Sequence, residues 1–216
     1  YDSSGNLATI TNAVGHVIQQ QNYNGRGQPQ QLIDVNGIVT ELTYHARGWL
    51  LTSTIKDPSG NSALDATTIY GYDNIGQMTS ITLPDGNLIN YEYDAAKRLK
   101  AISNNIGERI EYILDVAGNR TQEQIKAGDG SIAYTHQNAF DELSRLLDDS
   151  GANGQNTHLN YDANSNPTEK SDALGNQTQQ AYDSLDRLKT VTDATQGNIN
   201  YTYDAQDNIK TVTDQR

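Results

Sequence analysis

The chain has 216 residues, of which 35% are hydrophobic; 13 Tyr stand beside one Trp, one Phe and one Met, and the formal net charge is -12. That content is too small for a thick compact core, and scattered Lys and Arg exclude the clustered cations that a nucleic-acid backbone or an anionic membrane surface requires. No apolar run approaches the roughly 20 residues needed to cross a bilayer, so membrane insertion is not expected. The lack of Cys excludes disulfides and thiolate metal sites. The start of the chain carries neither a basic n-region nor an apolar h-region, so targeting information is expected outside it.

In chain order, a large apolar residue followed by Asp or a stand-in recurs as Tyr1-Asp2, Tyr23-Asn24, Tyr44-His45, Tyr72-Asp73, Tyr93-Asp94, Leu114-Asp115, Phe140-Asp141, Tyr161-Asp162, Tyr182-Asp183 and Tyr203-Asp204. Each pair leads into a polar or Gly-containing turn and then a Leu-like residue. The starts differ by 22, 21, 28, 21, 21, 26, 21, 21 and 21 residues. A period sustained over the whole length marks one array, residues 1–216, in which each unit buries its apolar face only against its neighbours. Disordered chains avoid aromatic and β-branched residues, whereas Tyr, Ile, Val and Thr keep a fixed phase here.

Within a unit, a strand precedes the motif: Ile89, Tyr91 and Tyr93, Ile110, Tyr112 and Leu114, and Ile199, Tyr201 and Tyr203 alternate with polar residues, the period of a strand with one buried face. The motif Asp then takes backbone amides of its own turn while Gly or Asn accepts positive φ, as in Asp73-Asn74-Ile75-Gly76. A second strand follows, read in Met78 to Ile81, Leu99 to Ile102, Leu188 to Val191 and Ile209 to Val212. Its apolar residues are three apart, the wrong spacing for one face of a regular strand, so either the first still belongs to the turn or a bulge intervenes. Ile33-Asp34-Val35-Asn36-Gly37, Leu83-Pro84-Asp85-Gly86 and Thr192 to Gly197 close the hairpins. The 28- and 26-residue units place insertions in loops around Asp57 to Ala66 and Lys126 to Ser131.

The expected fold class is all-β: tandem hairpins of up to about twenty short strands in one sheet. At about 4.8 Å per strand such a sheet would run nearly 100 Å, beyond what twisted open sheets reach without curling, so it is expected to curve or spiral. Eight of the 13 Tyr open a unit, and Tyr70, Tyr91, Tyr112 and Tyr201 sit two residues before an opening. These aromatics are expected to stack along one face.

The phased YDxxGxL pattern, with a TDxxG-like turn about a dozen residues later, resembles the RHS or YD-repeat family over essentially the whole chain. Asn24 and His45 depart from it at the Asp position, and Leu114 and Phe140 at the Tyr position. The resemblance implies a β-strip that spirals into a hollow shell, a wall segment that in the family's toxins encloses a polymorphic C-terminal toxin. It implies a secreted or cell-surface bacterial protein whose partners are the remainder of its own polypeptide, shell and toxin. The motif stops inside the tenth unit, so an excised piece of a longer array is expected. Exposed sheet edges recruit other strands, which makes self-association a further expectation.

Candidate chemistry is sparse, and no enzyme, cofactor or metal is expected. Asp57-Pro58-Ser59-Gly60 is similar to a DPxG segment at the family's toxin-release site, but Asn61 follows it and it occupies an ordinary turn position. Asp162-Ala163-Asn164-Ser165-Asn166 opens like a calcium loop, yet Pro167 stands where Gly is needed and Ala173 where a bidentate Glu is needed. His16, His45, His136 and His158 fall in different units without metal-ligand spacing. Asp148-Asp149 is read as a pair flanking a turn, without partners that would split its pKa values. The sequons at Asn119, Asn176 and Asn200 matter only in a eukaryotic secretory protein. A rival reading is a glycan- or cell-surface-binding module that stacks sugars on Tyr44, Trp49, Tyr70, Tyr72, Tyr91 and Tyr93. Trp49 discriminates: a solvent-facing indole favours sugar stacking, a buried one favours wall packing.

Overall fold

A computed structural model describes residues 1–151 and 153–215. These residues form nineteen strands of antiparallel sheet and one short 3-10 turn at Ser62–Leu64. The chain divides into two compact units, Tyr1–Tyr93 with Ile102–Gly107, and Asp94–Ala101 with the residues from Glu108 onward.

In the first unit, β1 (Thr9–Thr11), β2 (Val17–Tyr23), β3 (Pro29–Ile33), β4 (Val39–Tyr44), β5 (Leu50–Ile55), β6 (Ala66–Tyr72), β7 (Met78–Thr82) and β8 (Leu88–Tyr93) each pair antiparallel with the next. Strand β9 (Leu99–Asn104) has residues in both units. In the second unit the same succession runs through β10 (Arg109–Leu114), β11 (Arg120–Lys126), β12 (Ile132–Phe140), β13 (Leu146–Ser150), β14 (Asn156–Tyr161), β15 (Pro167–Ser171), β16 (Gln177–Tyr182), β17 (Leu188–Thr192), β18 (Asn198–Tyr203) and β19 (Ile209–Asp214). Pro29 and Pro167 are tolerated because each is the first residue of its strand, where a missing N–H costs the ladder least.

The three-residue apolar spacing resolves as a bulge. Across the β6–β7 turn Tyr72 faces Met78, but one step on Gly71 faces Ser80, which leaves Thr79 as an extra residue. Tyr70 then faces Ile81, so Met78 and Ile81 share a face with Tyr70 and Tyr72 although they are three apart. The same shift separates Ala181 from Tyr182 and Thr202 from Tyr203, and puts Ile209 and Val212 opposite Tyr203 and Tyr201. The opposite face of β14 to β18 is polar, carrying His158, Asn160, Glu169, Gln179, Thr190 and Asn200 in facing positions. Ala101 is the one described hydrophobic residue that is fully buried. Packing is therefore between neighbouring side chains along a sheet face, as the low hydrophobic content requires.

The two insertions differ. The first is a loop, as expected: Gly60 donates its amide to the Asp57 carbonyl, the Asn61 side chain caps the 3-10 turn at the Ala63 amide (3.1 Å), and Lys56 pairs with Asp65 at the loop's base. The second is not a loop. Ala127 to Ser131 is an ordinary five-residue turn, with the Ala127 amide on the Ser131 carbonyl at 2.9 Å. The extra length lies in the strands, seven residues in β11 and nine in β12. Both segments carry strand-forming residues, and a second bulge between Ile125 and Lys126 absorbs the odd residue, Ala133.

Candidate functional site

The recurrent element is the motif turn. The Asp73 carboxylate accepts the amides of Ile75 at 3.0 Å and Gln77 at 2.9 Å with one oxygen, while the Asp73 amide donates to the Gln77 carbonyl at 2.9 Å. Asp2, Asp141, Asp162, Asp183 and Asp204 take the same two amides in their own turns. Asp94 and Asp115 take the amide four residues on. The stand-ins close their turns in the same way, Asn24 accepting from Arg26 and Gln28, and His45 Nδ1 accepting from Arg47 at 3.1 Å. Each turn needs a left-handed residue at its fourth position. Gly76 supplies it at φ 95, but Lys97, Ser144, Ser165, Asp186 and Asp207 adopt it at φ 58 to 72, a strain of about 1 kcal/mol or more each.

The motif Tyr ties one unit to the unit before it. Tyr44, Tyr93, Tyr161, Tyr182 and Tyr203 donate their hydroxyls to the carbonyls of Pro29, Met78, Leu146, Pro167 and Leu188 at 2.7 to 2.9 Å. Tyr23 reaches Leu7 in the same way. The acceptor in β3, β7, β13, β15 and β17 is the strand's first residue, so this position both faces the aromatic residue that opens its own repeat, Phe140 for β13 and Tyr for the others, and receives the next Tyr. Burial pushes the Tyr44, Tyr93 and Tyr182 phenols up, which keeps them hydrogen-bond donors. Leu114 and Phe140 have no hydroxyl for this bond. Tyr1 is 87% exposed, and Tyr72 instead tilts against Trp49 with ring centroids 5.5 Å apart.

A second tie joins the turns themselves, and sequence reasoning missed it. The fifth turn residue reaches the turn of the following unit. Arg145 places Nε on Asp141 Oδ2 at 2.7 Å, Nη1 on the Asp162 carbonyl at 3.0 Å and its guanidinium 4.7 Å from the Tyr161 ring centre. Arg187 does the same with Asp183, Asp207 and Tyr203, and Arg98 with Asp94 and the Asp115 carbonyl. Shorter residues follow suit: Gln28 Nε2 donates to the Gly48 carbonyl at 2.8 Å and Asn166 Nδ2 to Asp186 Oδ1 at 2.8 Å. The signal lay in the polar residue four places after each motif Asp, always Arg, Gln or Asn.

These contacts set the titration of the turns. The Arg98 amide and then its guanidinium hold the Asp94 carboxyl below its usual value, and at Asp183 the Arg187 side chain is the largest cause of the same shift. A carboxyl depressed on folding contributes stability that is whole above the unfolded value of about 3.9 and is lost as pH falls through the folded value. Circular dichroism during an acid titration should therefore show the array losing structure below about pH 4. Asp183→Asn, which keeps an acceptor but cannot titrate, should flatten that dependence in its own unit.

The remaining candidates fall into place as structure. Asp57-Pro58-Ser59-Gly60 is a turn in which the Asp57 carboxylate accepts the Ser59 amide at 3.0 Å. In the calcium-like segment the Asn164 and Asn166 side chains direct amide nitrogens to Asp186 at 2.8 Å, a donor geometry unlike oxygen ligation. Among the described residues no three His, Asp or Glu side chains converge on a metal position. Asp148 and Asp149 do not flank a turn. They lie inside β13, where adjacent residues point to opposite faces, and each meets a His: Asp148 with His158 and Asp149 with His136, both at 2.7 Å. The Asp148 contact pushes His158 up, a gain present below about pH 6.5 and lost as pH rises through the folded value. Trp49 is half-buried: His45 stacks on it at 4.9 Å, the Arg47 guanidinium sits 5.3 Å from its ring centre, and Gly76 abuts its edge. This is packing between units.

The family profile described as Teneurin YD-shell matches residues 1–124, more than half of the chain, and the profile described as RHS Repeat matches residues 161–199 and 182–215. The chain belongs to the RHS/YD-repeat family. Solved structures share the fold of this RHS/YD-repeat chain. A crystal structure of TcdB2-TccC3 without its hypervariable C-terminal region aligns at a TM-score of 0.53 and 14% identity, over 100% of this chain and 16% of that one. The Tc holotoxin pore of Photorhabdus luminescens, carrying a TccC3 substitution, aligns at a TM-score of 0.54 and 14% identity, over 99% and 15%. This chain thus spans about one sixth of the length of the structures it matches. No curated protein matches it.

Proposed function

We propose that this chain is wall material of a single continuous YD-repeat array, belonging to a longer secreted bacterial protein, that curves into a shell and encloses a C-terminal toxin until delivery. The observation that carries this reading is the tyrosine hydroxyl bound to the first carbonyl of the preceding unit's second strand, repeated in both units of the chain. Wherever it occurs it joins a repeat to the one before by the same geometry, which supports an array that extends by addition of like rungs. The turn-to-turn ties of Arg98, Arg145 and Arg187 reinforce one margin of the sheet in the same manner. Side chains that a catalytic or sugar-stacking site would present, Trp49 and the two His-Asp pairs, are committed to contacts within the sheet. Limited proteolysis of the full-length polypeptide tests the proposal. The C-terminal segment should resist digestion while the wall is intact and become sensitive once the wall is opened by acid. Digestion of that segment at the same rate with and without the wall would refute enclosure.

A further inference from the structure

Asn stands directly before Gly at two places in the first unit, Asn24-Gly25 and Asn36-Gly37. A third such step, Asn153-Gly154, follows Ala152, which lies outside the described residues. An Asn-Gly step can rearrange without an enzyme. The glycine amide nitrogen attacks the side-chain Cγ, the C–N bond of the carboxamide breaks, ammonia leaves and a five-membered succinimide closes. Water then opens the ring at one carbonyl or the other, giving Asp or an isoaspartyl link in which the main chain runs through the former side chain. Glycine favours the attack because it carries no Cβ to obstruct it. The carboxamide must also be free to swing over the next peptide.

The two steps differ in that freedom. Asn24 opens a motif turn in place of the usual Asp. Its Oδ1 accepts the amides of Arg26 at 2.9 Å and Gln28 at 3.1 Å, and its Nδ2 donates to Gln28 Oε1 at 3.1 Å. Gln28 is itself tied to the Gly48 carbonyl, and Asn24 is half-buried. Asn36 lies in the turn between β3 and β4, where Asp34 does the closing by accepting the amides of Asn36 at 2.8 Å and Ile38 at 2.9 Å. The Asn36 carboxamide is exposed and has no hydrogen-bond partner among the described residues. Nothing lies within 4 Å of the place a Cβ would take on Gly37, so the ring has room to close.

The nucleophile alone would favour the other site. The Gly37 amide must give up a bond to the Asp34 carbonyl at 3.0 Å, and the Gly25 amide makes no such bond among the described residues. The Asn24 side chain, however, must give up three bonds before it can swing, against that one. Three outweigh one, since each hydrogen bond contributes a similar amount.

We propose that Asn36 is a site of spontaneous deamidation, and that the turn contacts which let Asn24 stand in for Asp also preserve it as Asn. Conversion of Asn36 adds a negative charge to the β3–β4 turn, and the isoaspartyl form adds a main-chain atom between its Cα and the Gly37 amide. The turn at Asn24 keeps a cap that does not titrate. None of this depends on whether the array encloses a toxin.

A time course on the full chain, held folded at mildly alkaline pH or unfolded in guanidinium chloride, tests the assignment. Trypsin cuts after Arg26 and Arg47, so the two steps fall in separate peptides, residues 1–26 and 27–47. Mass spectrometry reads the gain from carboxamide to acid, and fragmentation separates Asp from isoaspartate. In the folded chain Asn36 should react faster than Asn24 by about tenfold or more, the difference of two hydrogen bonds to be broken. In denaturant the two rates should become comparable. An Asn36 that stays intact in the folded chain while reacting in denaturant would overturn the proposal. So would equal rates in the folded chain, or a difference that persists in denaturant and so belongs to the neighbouring sequence instead of the fold.

Discussion

Gly76→Ala is expected to destabilise the first unit by about 2 to 5 kcal/mol, from a left-handed backbone cost of about 1 to 2 and an overpacking cost of about 1 to 3. The glycine sits at φ 95, and a Cβ there would lie 2.7 Å from Trp49 Cζ2 and 2.8 Å from Cε2. The indole cannot retreat, because His45 stacks on it and Tyr72 leans against it. Gly86 provides the control: its φ is 85, but nothing lies within 4 Å of its added Cβ. Gly86→Ala should cost only the backbone part, about 1 to 2 kcal/mol. Urea unfolding followed by circular dichroism gives both numbers. Adding Trp49→Ala to Gly76→Ala should recover the overpacking part alone, and equal costs at the two glycines would show that the indole is not a rigid neighbour.

Tyr182→Ala is expected to cost about 2 to 4 kcal/mol, somewhat below a fully buried aromatic because the ring is half-exposed. Tyr182→Phe isolates the hydroxyl. The Pro167 carbonyl 2.9 Å away would lose its partner, at a cost of about 1 kcal/mol. Because strands contact only their sequence neighbours, the damage should stay local. Hydrogen exchange should quicken in β15, β16 and β17 and remain near wild type in β2 to β5. Uniform acceleration along the chain would instead mean that the array opens as one cooperative body.

Much of this was legible in the sequence, since every unit repeats the same local solution. The alternation of Tyr91 and Tyr93, the Asp that closes its own turn and the loop at Asp57 are all set by residues within a few positions of one another. What escaped depended on register. Asp148 and Asp149 look like a turn pair until β12 and β14 are placed beside them, ten and thirteen residues from the His partners. In a periodic sequence an insertion shows only as extra length, so the added residues of β11 and β12 read as a loop until the strands are paired. The three-residue spacing of Met78 and Ile81 showed that something irregular followed the turn. Only the facing of Gly71 with Ser80 identified it as a bulge.

The tyrosine hydroxyl that reaches back to the preceding unit also gives the array a direction of growth. Tyr44, Tyr93, Tyr161, Tyr182 and Tyr203 each bind a carbonyl already formed upstream, 15 residues earlier. A new hairpin therefore finds its first strand partner and its tyrosine acceptor in chain that precedes it. A polypeptide emerging amino end first can complete one rung before the next appears, with no distant segment to wait for and little loop entropy to overcome. Synthesis alone would then lay the sheet down in order, like courses of masonry, and whatever follows the last course would emerge beside a finished surface.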